Sequence, residues 1–249
     1  MNVPKPVADG LWIVDGPSVA CRGIPHPTRA TIVRLSDGTL WVHSPTPMTE
    51  DMAGTIGALG PVAYLVAPNR LHYTGIPTWQ ARFPDAETWA APGVADRAAA
   101  EGVELRIDHD LDDLAPWQDE IEQHLVAGSA RHREFVFFHR DSDTLILTDI
   151  IQNFETVHLP PWVRPLIWLS GADDSDGRMP SLLRMSFRDK AALADSVEEM
   201  IGWAPRRIIL SHGRCYEGNA VSELERAFRR ELRSRRWGEA SKVIRGGQD

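Results

Sequence analysis

The chain has 249 residues, 27 of them basic and 35 acidic, for a formal net charge of −8. With 43% hydrophobic and 25% charged residues the composition is that of an ordinary globular protein, which excludes disorder, a collagen-like repeat and a coiled coil as its main description. The acidic balance speaks against a nucleic-acid partner, and two cysteines are too few for a disulfide scaffold.

In chain order, Gly10 to Gly16 is an apolar run between glycines and reads as a strand. Cys21 to Thr28 contains Pro25 and Pro27 and reads as a loop. Arg29–Leu35 and Thr39–Ser44 are β-prone runs joined by Ser36-Asp37-Gly38, a hairpin signal. Thr49 to Leu59 predicts a helix, with Thr49 as its cap, Glu50 and Asp51 in its first turn, and Gly60-Pro61 as its stop. A strand at Ala63–Ala67 leads to a loop at Pro68–Gly75. A helix at Ile76–Phe83, a strand at Thr88–Ala91 and a helix at Ala95–Glu101 follow.

Asp108 to Trp117 is acidic and loop-like. Three strands are expected after it: Ile121–Val126, Glu134–His139 and Thr144–Thr148. The span from Gln152 to Arg184, with Pro160, Pro161, Pro165 and Pro180, predicts a long irregular segment that covers something. Its Trp162 and Trp168 are candidates for a pocket lining, or for ordinary packing. Its acidic turn at Asp173, Asp174 and Asp176 lacks the closing glutamate of a calcium loop, since the twelfth residue is Arg184. Asp189–Trp203 is the clearest helix, because Leu193, Val197, Met200 and Ile201 share one face. A strand at Arg207–Leu210 and a last helix at Ala220–Trp237 complete the series, with a loose tail from Gly238. The arginines of that helix, from Arg226 to Arg236, alternate with Glu223, Glu225 and Glu231, as on an ion-paired surface face. No repeat and no linker interrupts the chain, so one domain over residues 1–249 is expected. Met1 to Gly10 has one lysine and no apolar core, and no apolar run approaches the roughly 18 residues of a membrane span. A cytoplasmic protein with no membrane partner is expected.

The chemically interesting residues stand just past strand ends, where layered α/β folds place their sites: His43, His72, Asp149 and His212. The order of elements resembles the metallo-β-lactamase fold, in which two βββα-type halves pack as a four-layer αββα sandwich. The strings LWVHSP, APNRLH, VFFHR, LILTDIIQNF and RIILSHGR are similar to one branch of it, domain-of-unknown-function family 4336. The resemblance covers Gly10 to about Trp237 and implies an α/β (α+β) fold of that kind.

The superfamily's main metal motif is His-x-His-x-Asp-His followed by glycine. Here the loop reads Pro68-Asn69-Arg70-Leu71-His72-Tyr73-Thr74-Gly75. With Gly75 on the motif's glycine, His72 takes the aspartate position and Tyr73 the last histidine, while Pro68 and Arg70 fill the first two histidine positions. A shift by one residue puts His72 on the last histidine and leaves the first two empty. His43-Ser44-Pro45 stands where the family has Asp-Thr-Gly. Asp149 fits the carboxylate position and His212 the final histidine.

The resemblance therefore implies a ligand set of His72, Asp149 and His212, with His132, His43 and Asn69 in reserve. Two histidines and a carboxylate suit a single zinc or iron ion and are too few for two. One reading is a mononuclear hydrolase of a small ester, amide, lactone or phosphate. In it Arg70 holds an acidic substrate group and Tyr73 acts on the leaving group or the oxyanion. The alternatives are a metal-free enzyme using the same histidines as acid and base, and a metal-free pseudo-hydrolase that binds a ligand or partner.

Overall fold

The computed structural model describes residues 2–21, 24–175 and 177–235. The expected tail from Gly238 and the acidic-turn residue Asp176 lie outside that description. Seven strands form a first sheet in sequence order: β1 (Lys5–Ala8), β2 (Leu11–Cys21), β3 (Ile24–Arg34), β4 (Leu40–His43), β5 (Val62–Ala67), β6 (Glu87–Ala90) and β7 (His109–Asp110). The first four pair antiparallel, as short hairpin connections allow. From β4 to β7 the pairing is parallel. Three helices lie between the parallel strands and beside β6: α1 (Glu50–Gly57), α2 (Ile76–Arg82) and α3 (Val94–Ala100).

A second sheet has the order β11-β10-β9-β8, from β8 (Ile121–Leu125), β9 (Phe135–His139), β10 (Thr144–Leu147) and β11 (Arg207–Leu210). Only β10 and β11 run parallel in it. Between β10 and β11 the chain forms α4 (Arg164–Ser170), α5 (Ser181–Arg184) and α6 (Lys190–Gly202). α7 (Ala220–Ala227) follows β11.

The period of two along a strand sets the layers. Phe135, Phe137, Ile146 and Ile209 share a core with the first sheet and with Met52, Ile56, Ile76, Trp79, Val94 and Ala98 of its helices. The alternate residues Val136, Leu145, Leu147, Ile208 and Leu210 face the other way, onto Leu193, Val197 and Met200 of α6 and Leu224 of α7. Helices, sheet, sheet and helices thus stack as α/β/β/α. The helix caps follow the sequence: Thr49 accepts from Met52 N at 3.4 Å, and Asp189 accepts from Ala191 N and Ala192 N, both at 3.0 Å.

Three expectations need correction. The predicted loop at 21–28 is largely strand: Val19 pairs with His26, Ala20 with Pro25 and Cys21 with Ile24. A register shift between Gly16 and Val19 absorbs the irregularity that the prolines bring. The segment from Gln152 to Arg184 is not structureless. It holds α4 and α5, a 3-10 turn at Thr156–His158 and isolated bridges from Gln152, Asn153 and Phe154. Phe154, Leu159, Val163, Ile167 and Ala172 make a small core of their own. A seven-residue helix is too short to show a 3.6-residue period in sequence. Finally, the last helix is interrupted at Phe228, and residues 229–235 are helical again.

Candidate metal centre

Four parallel strands end at the site. β4 delivers His43 and Ser44, and β5 leads into the loop with Asn69 and His72. β10 delivers Thr148 and Asp149, and β11 delivers His212. Because β4 and β5 run parallel, and β10 and β11 likewise, each pair opens its carboxyl ends in one direction.

His72, Asp149 and His212 come together there, with one ligand atom from each within 4.8 Å of the others. The two Nε2 atoms of His72 and His212 lie 3.2 Å apart. Asp149 Oδ2 is 3.4 Å from His72 Nε2, and Asp149 Oδ1 is 3.3 Å from His212 Nε2. The other ring nitrogens are engaged elsewhere. His212 Nδ1 meets the Pro27 carbonyl at 2.7 Å, and His72 Nδ1 meets Ser44 Oγ at 2.6 Å. An Nδ1–H donated to a carbonyl leaves the Nε2 lone pair of His212 turned to the cluster, the arrangement a metal-binding imidazole adopts.

A shell of buried polar groups holds Asp149. Asn69 Nδ2 donates to Asp149 Oδ2 at 2.9 Å and to Thr148 Oγ1 at 3.1 Å, while Asn69 Oδ1 accepts from Leu71 N at 2.8 Å. Gln152 Nε2 donates to Asp149 Oδ1 at 3.1 Å. Glu134, fully buried, accepts the backbone N–H groups of Thr148 and Asp149 at 3.0 Å and the His132 ring at 2.8 Å. His132, Glu134 and Asp149 thus form a second group able to hold a cation, next to the first.

Burial alone would push the Asp149 carboxyl up. The His72 charge and the bonds from His212 and His72 outweigh it and hold Asp149 well below the usual carboxylate range. For His212 burial works against the charged ring, but the bond to Asp149 and its charge win, so His212 is raised. His132 is raised in the same way, by Glu134 against its own burial.

The remaining candidates are placed differently. His43 is fully buried, its ring stacked 5.7 Å from Trp41 and edge-on to Phe137, with no hydrogen-bond partner on either ring nitrogen among the described residues. Burial, and then His72, hold it well below the usual histidine value. Arg70 is exposed and finds no carboxylate partner among the described residues. Tyr73 points into the core of the first sheet, and its hydroxyl donates to Glu101 just beyond α3. Burial and that carboxylate raise it to about 12. The expectation that Tyr73 meets a leaving group is corrected by this orientation: consecutive residues of the turn diverge, so His72 faces the cluster and Tyr73 the core.

Sequence reading missed Ser44, Glu134, Gln152, Pro27 and Arg29. Glu134 carried a faint signal, a carboxylate opening an apolar strand. Pro27 and Arg29 carried none: Pro27 O meets His212 Nδ1 and Arg29 Nη1 donates to Leu210 O and Gly213 O, contacts that arise only from packing of one sheet on the other.

Residues 9–166 match the family described as Domain of unknown function (DUF4336). The chain belongs to that family. No curated protein matches the DUF4336 chain in sequence. In structure it is similar to a metallo-β-lactamase from Hirschia baltica, at 12% identity and a TM-score of 0.62, covering 92% of this chain and 96% of that one. It is similar to the mono-zinc form of the FIM-1 metallo-β-lactamase from Pseudomonas aeruginosa, at 14% identity and a TM-score of 0.60, with 92% and 96% covered. The rubredoxin oxygen:oxidoreductase of Desulfovibrio gigas matches at 14% identity and a TM-score of 0.59, over 92% of this chain and 61% of that one. The DUF4336 chain therefore has the metallo-β-lactamase fold, an αββα sandwich, and carries His/Asp groups able to hold a metal. Among the described residues no helix is long and apolar enough to cross a membrane.

Proposed function

We propose that this protein is a hydrolase of the metallo-β-lactamase fold that holds one divalent ion, zinc or iron, on His72, Asp149 and His212. The observation that carries this reading is the cluster in which the two Nε2 atoms lie 3.2 Å apart and each meets a different oxygen of Asp149, at 3.3 and 3.4 Å. A tetrahedral ion with bonds of about 2.0–2.1 Å sets its ligand atoms about 3.3–3.4 Å apart, close to the separation of the two imidazole nitrogens. The ion would supply Lewis acidity and ease the loss of a proton from water, making hydroxide available as the nucleophile for an ester, amide, lactone or phosphate.

The chain's own residues prepare that site. Pro27 O and Ser44 Oγ orient the two imidazoles, and Asn69 and Gln152 each hold one oxygen of the carboxylate. Phe154, stacked 6.2 Å from His212, and His26, edge-on to it at 5.6 Å, wall off one side. Arg70, exposed on the same loop as His72, is suited to hold an anionic group of the substrate. Tyr73 supports the loop from below through Glu101.

One observation favours a metal-free reading as a ligand-binding protein. With His212 protonated, its one Nε2–H is shared between His72 Nε2 at 3.2 Å and Asp149 Oδ1 at 3.3 Å, and the cluster needs no ion. Elemental analysis by plasma mass spectrometry separates the two. Protein purified without chelator is expected to carry close to one zinc or iron per chain, and His212→Ala to lose it. Absence of metal from the wild type after zinc, iron and manganese supplementation refutes the metal reading. Ester and phosphate hydrolysis assays on the loaded protein then test the reaction class.

A further inference from the structure

The proposed ligands stand on two different sheets. His72 follows β5 of the first sheet, whereas Asp149 and His212 follow β10 and β11 of the second. A small slide of one sheet on the other would separate them, so something must tie the halves at this edge.

Arg29, on β3 of the first sheet, does so. Its Nη1 donates to Leu210 O and to Gly213 O, both at 2.7 Å, and lies 3.1 Å from Cys215 Sγ. The two carbonyls bracket Ser211 and His212. Two residues earlier on β3, Pro27 O accepts from His212 Nδ1 at 2.7 Å. Arg29 is itself aimed: its Nε donates at 2.8 Å to Oδ1 of Asp15, its directly paired neighbour on β2. Asp15 Oδ2 accepts from Lys5 at 2.7 Å. On its other side the turn is held by Asn153, whose N–H donates to His212 O at 3.1 Å and whose carbonyl accepts from Arg214 N at 2.9 Å.

We infer that Arg29, oriented by Asp15, is the positioning residue that locks the His212 turn of the second sheet onto the first and so fixes the His212 ring relative to His72. A guanidinium suits this task because its rigid fork serves Asp15 and the turn carbonyls at once, whereas an ammonium has no fixed plane. The metal-affinity consequence rests on the reading of His212 as a ligand. The ring-orientation consequence does not.

The test uses the full chain, metal-free, labelled with 15N-histidine and compared as wild type, Arg29→Met, Arg29→Lys and Asp15→Asn. At a pH alkaline enough to leave the ring neutral, wild-type His212 is expected as a single tautomer protonated on Nδ1, the nitrogen that meets Pro27 O. In Arg29→Met its two nitrogen signals should move towards each other as the ring reorients, with His139 on β9 unchanged as a folding control. Arg29→Lys should recover part of the wild-type pattern. Asp15→Asn, which leaves the Arg29 bonds to the turn in place, should show a smaller change of the same kind. Zinc affinity, read by competition with a chromophoric chelator, should fall by about 10–100-fold in Arg29→Met. If the His212 signals of both Arg29→Met and Asp15→Asn coincide with the wild type, the proposal is overturned. If the wild type itself takes up no zinc, the metal reading fails while the nitrogen spectra still decide the clamp.

Discussion

Glu134→Gln preserves the shape of a fully buried side chain and exchanges one acceptor oxygen for a donor NH2. In the wild type Oε1 accepts from Thr148 N and Asp149 N at 3.0 Å, and Oε2 accepts from Asp149 N at 3.0 Å, Asn69 Nδ2 at 3.2 Å and His132 Nε2 at 2.8 Å. Whichever oxygen is replaced, at least two donors then face a donor. A buried group left unmatched costs about 1–3 kcal/mol, and breaking a buried ion pair about 3–5 kcal/mol, so a loss of about 3–5 kcal/mol is expected. At about 2–4 °C per kcal/mol for a chain of this size, Tm falls by roughly 6–20 °C. Thermal unfolding followed by circular dichroism in the presence of EDTA measures it without interference from metal. The pH dependence provides a second check. Glu134 raises His132 above its ordinary 6.5, so that share of the stability is fully present below 6.5 and is lost as pH rises through the raised value. The gap between wild type and variant should therefore narrow as pH rises through that raised value. A fall in Tm of less than about 2 °C would refute the claim that Glu134 holds the end of β10 that bears Asp149.

Four further outcomes follow from single substitutions. His43→Phe removes a buried ring whose nitrogens have no partner and whose pKa is held well below 6.5. The unfolded chain takes up that proton as pH falls below about 6.5 and the folded chain does not, so the variant's advantage should grow by up to about 1.4 kcal/mol per pH unit on acidification. A Tm difference that stays flat between pH 7 and 5 would contradict this. Gly213→Ala places a Cβ 1.9 Å from Asn153 O at a φ of +90°, and should cost the His212 turn its shape and the protein its bound metal. Gly57→Ala, in a helix with open space around the new methyl, should stabilise by about 0.5–1 kcal/mol, and thermal melts of the two variants should move in opposite directions. Tyr73→Phe removes the hydroxyl that donates to Glu101, so Tm should fall by a few degrees, about 1 kcal/mol, with metal content unchanged. Loss of metal in that variant would restore Tyr73 to the site.

Local signals are what the sequence carried well. The Asp-Gly hairpin between β3 and β4, the Thr49 and Asp189 caps, the apolar face of α6 and the β-prone runs of β9 to β11 all depend on residues within a few positions of each other, and the structure keeps them. The placement of His72, Asp149 and His212 just past strand ends was legible for the same reason, since where a strand ends is a local property. Their meeting was not. A 3.2 Å contact between residues 72 and 212 depends on how two sheets pack, and no pattern along the chain encodes that distance. The same holds for Glu134, which became a partner of Asp149 only because β9 and β10 pair antiparallel, and for Pro27 and Arg29, which reach the His212 turn across the sandwich. Tyr73 shows the converse: its place in the loop suggested chemistry, and only the direction of its side chain, set by the core beneath it, assigned the hydroxyl to Glu101. Sequence alone decided which groups stand at the strand ends. Tertiary packing decided which of them face one another, because burial and sheet-on-sheet contact are set by the whole chain at once.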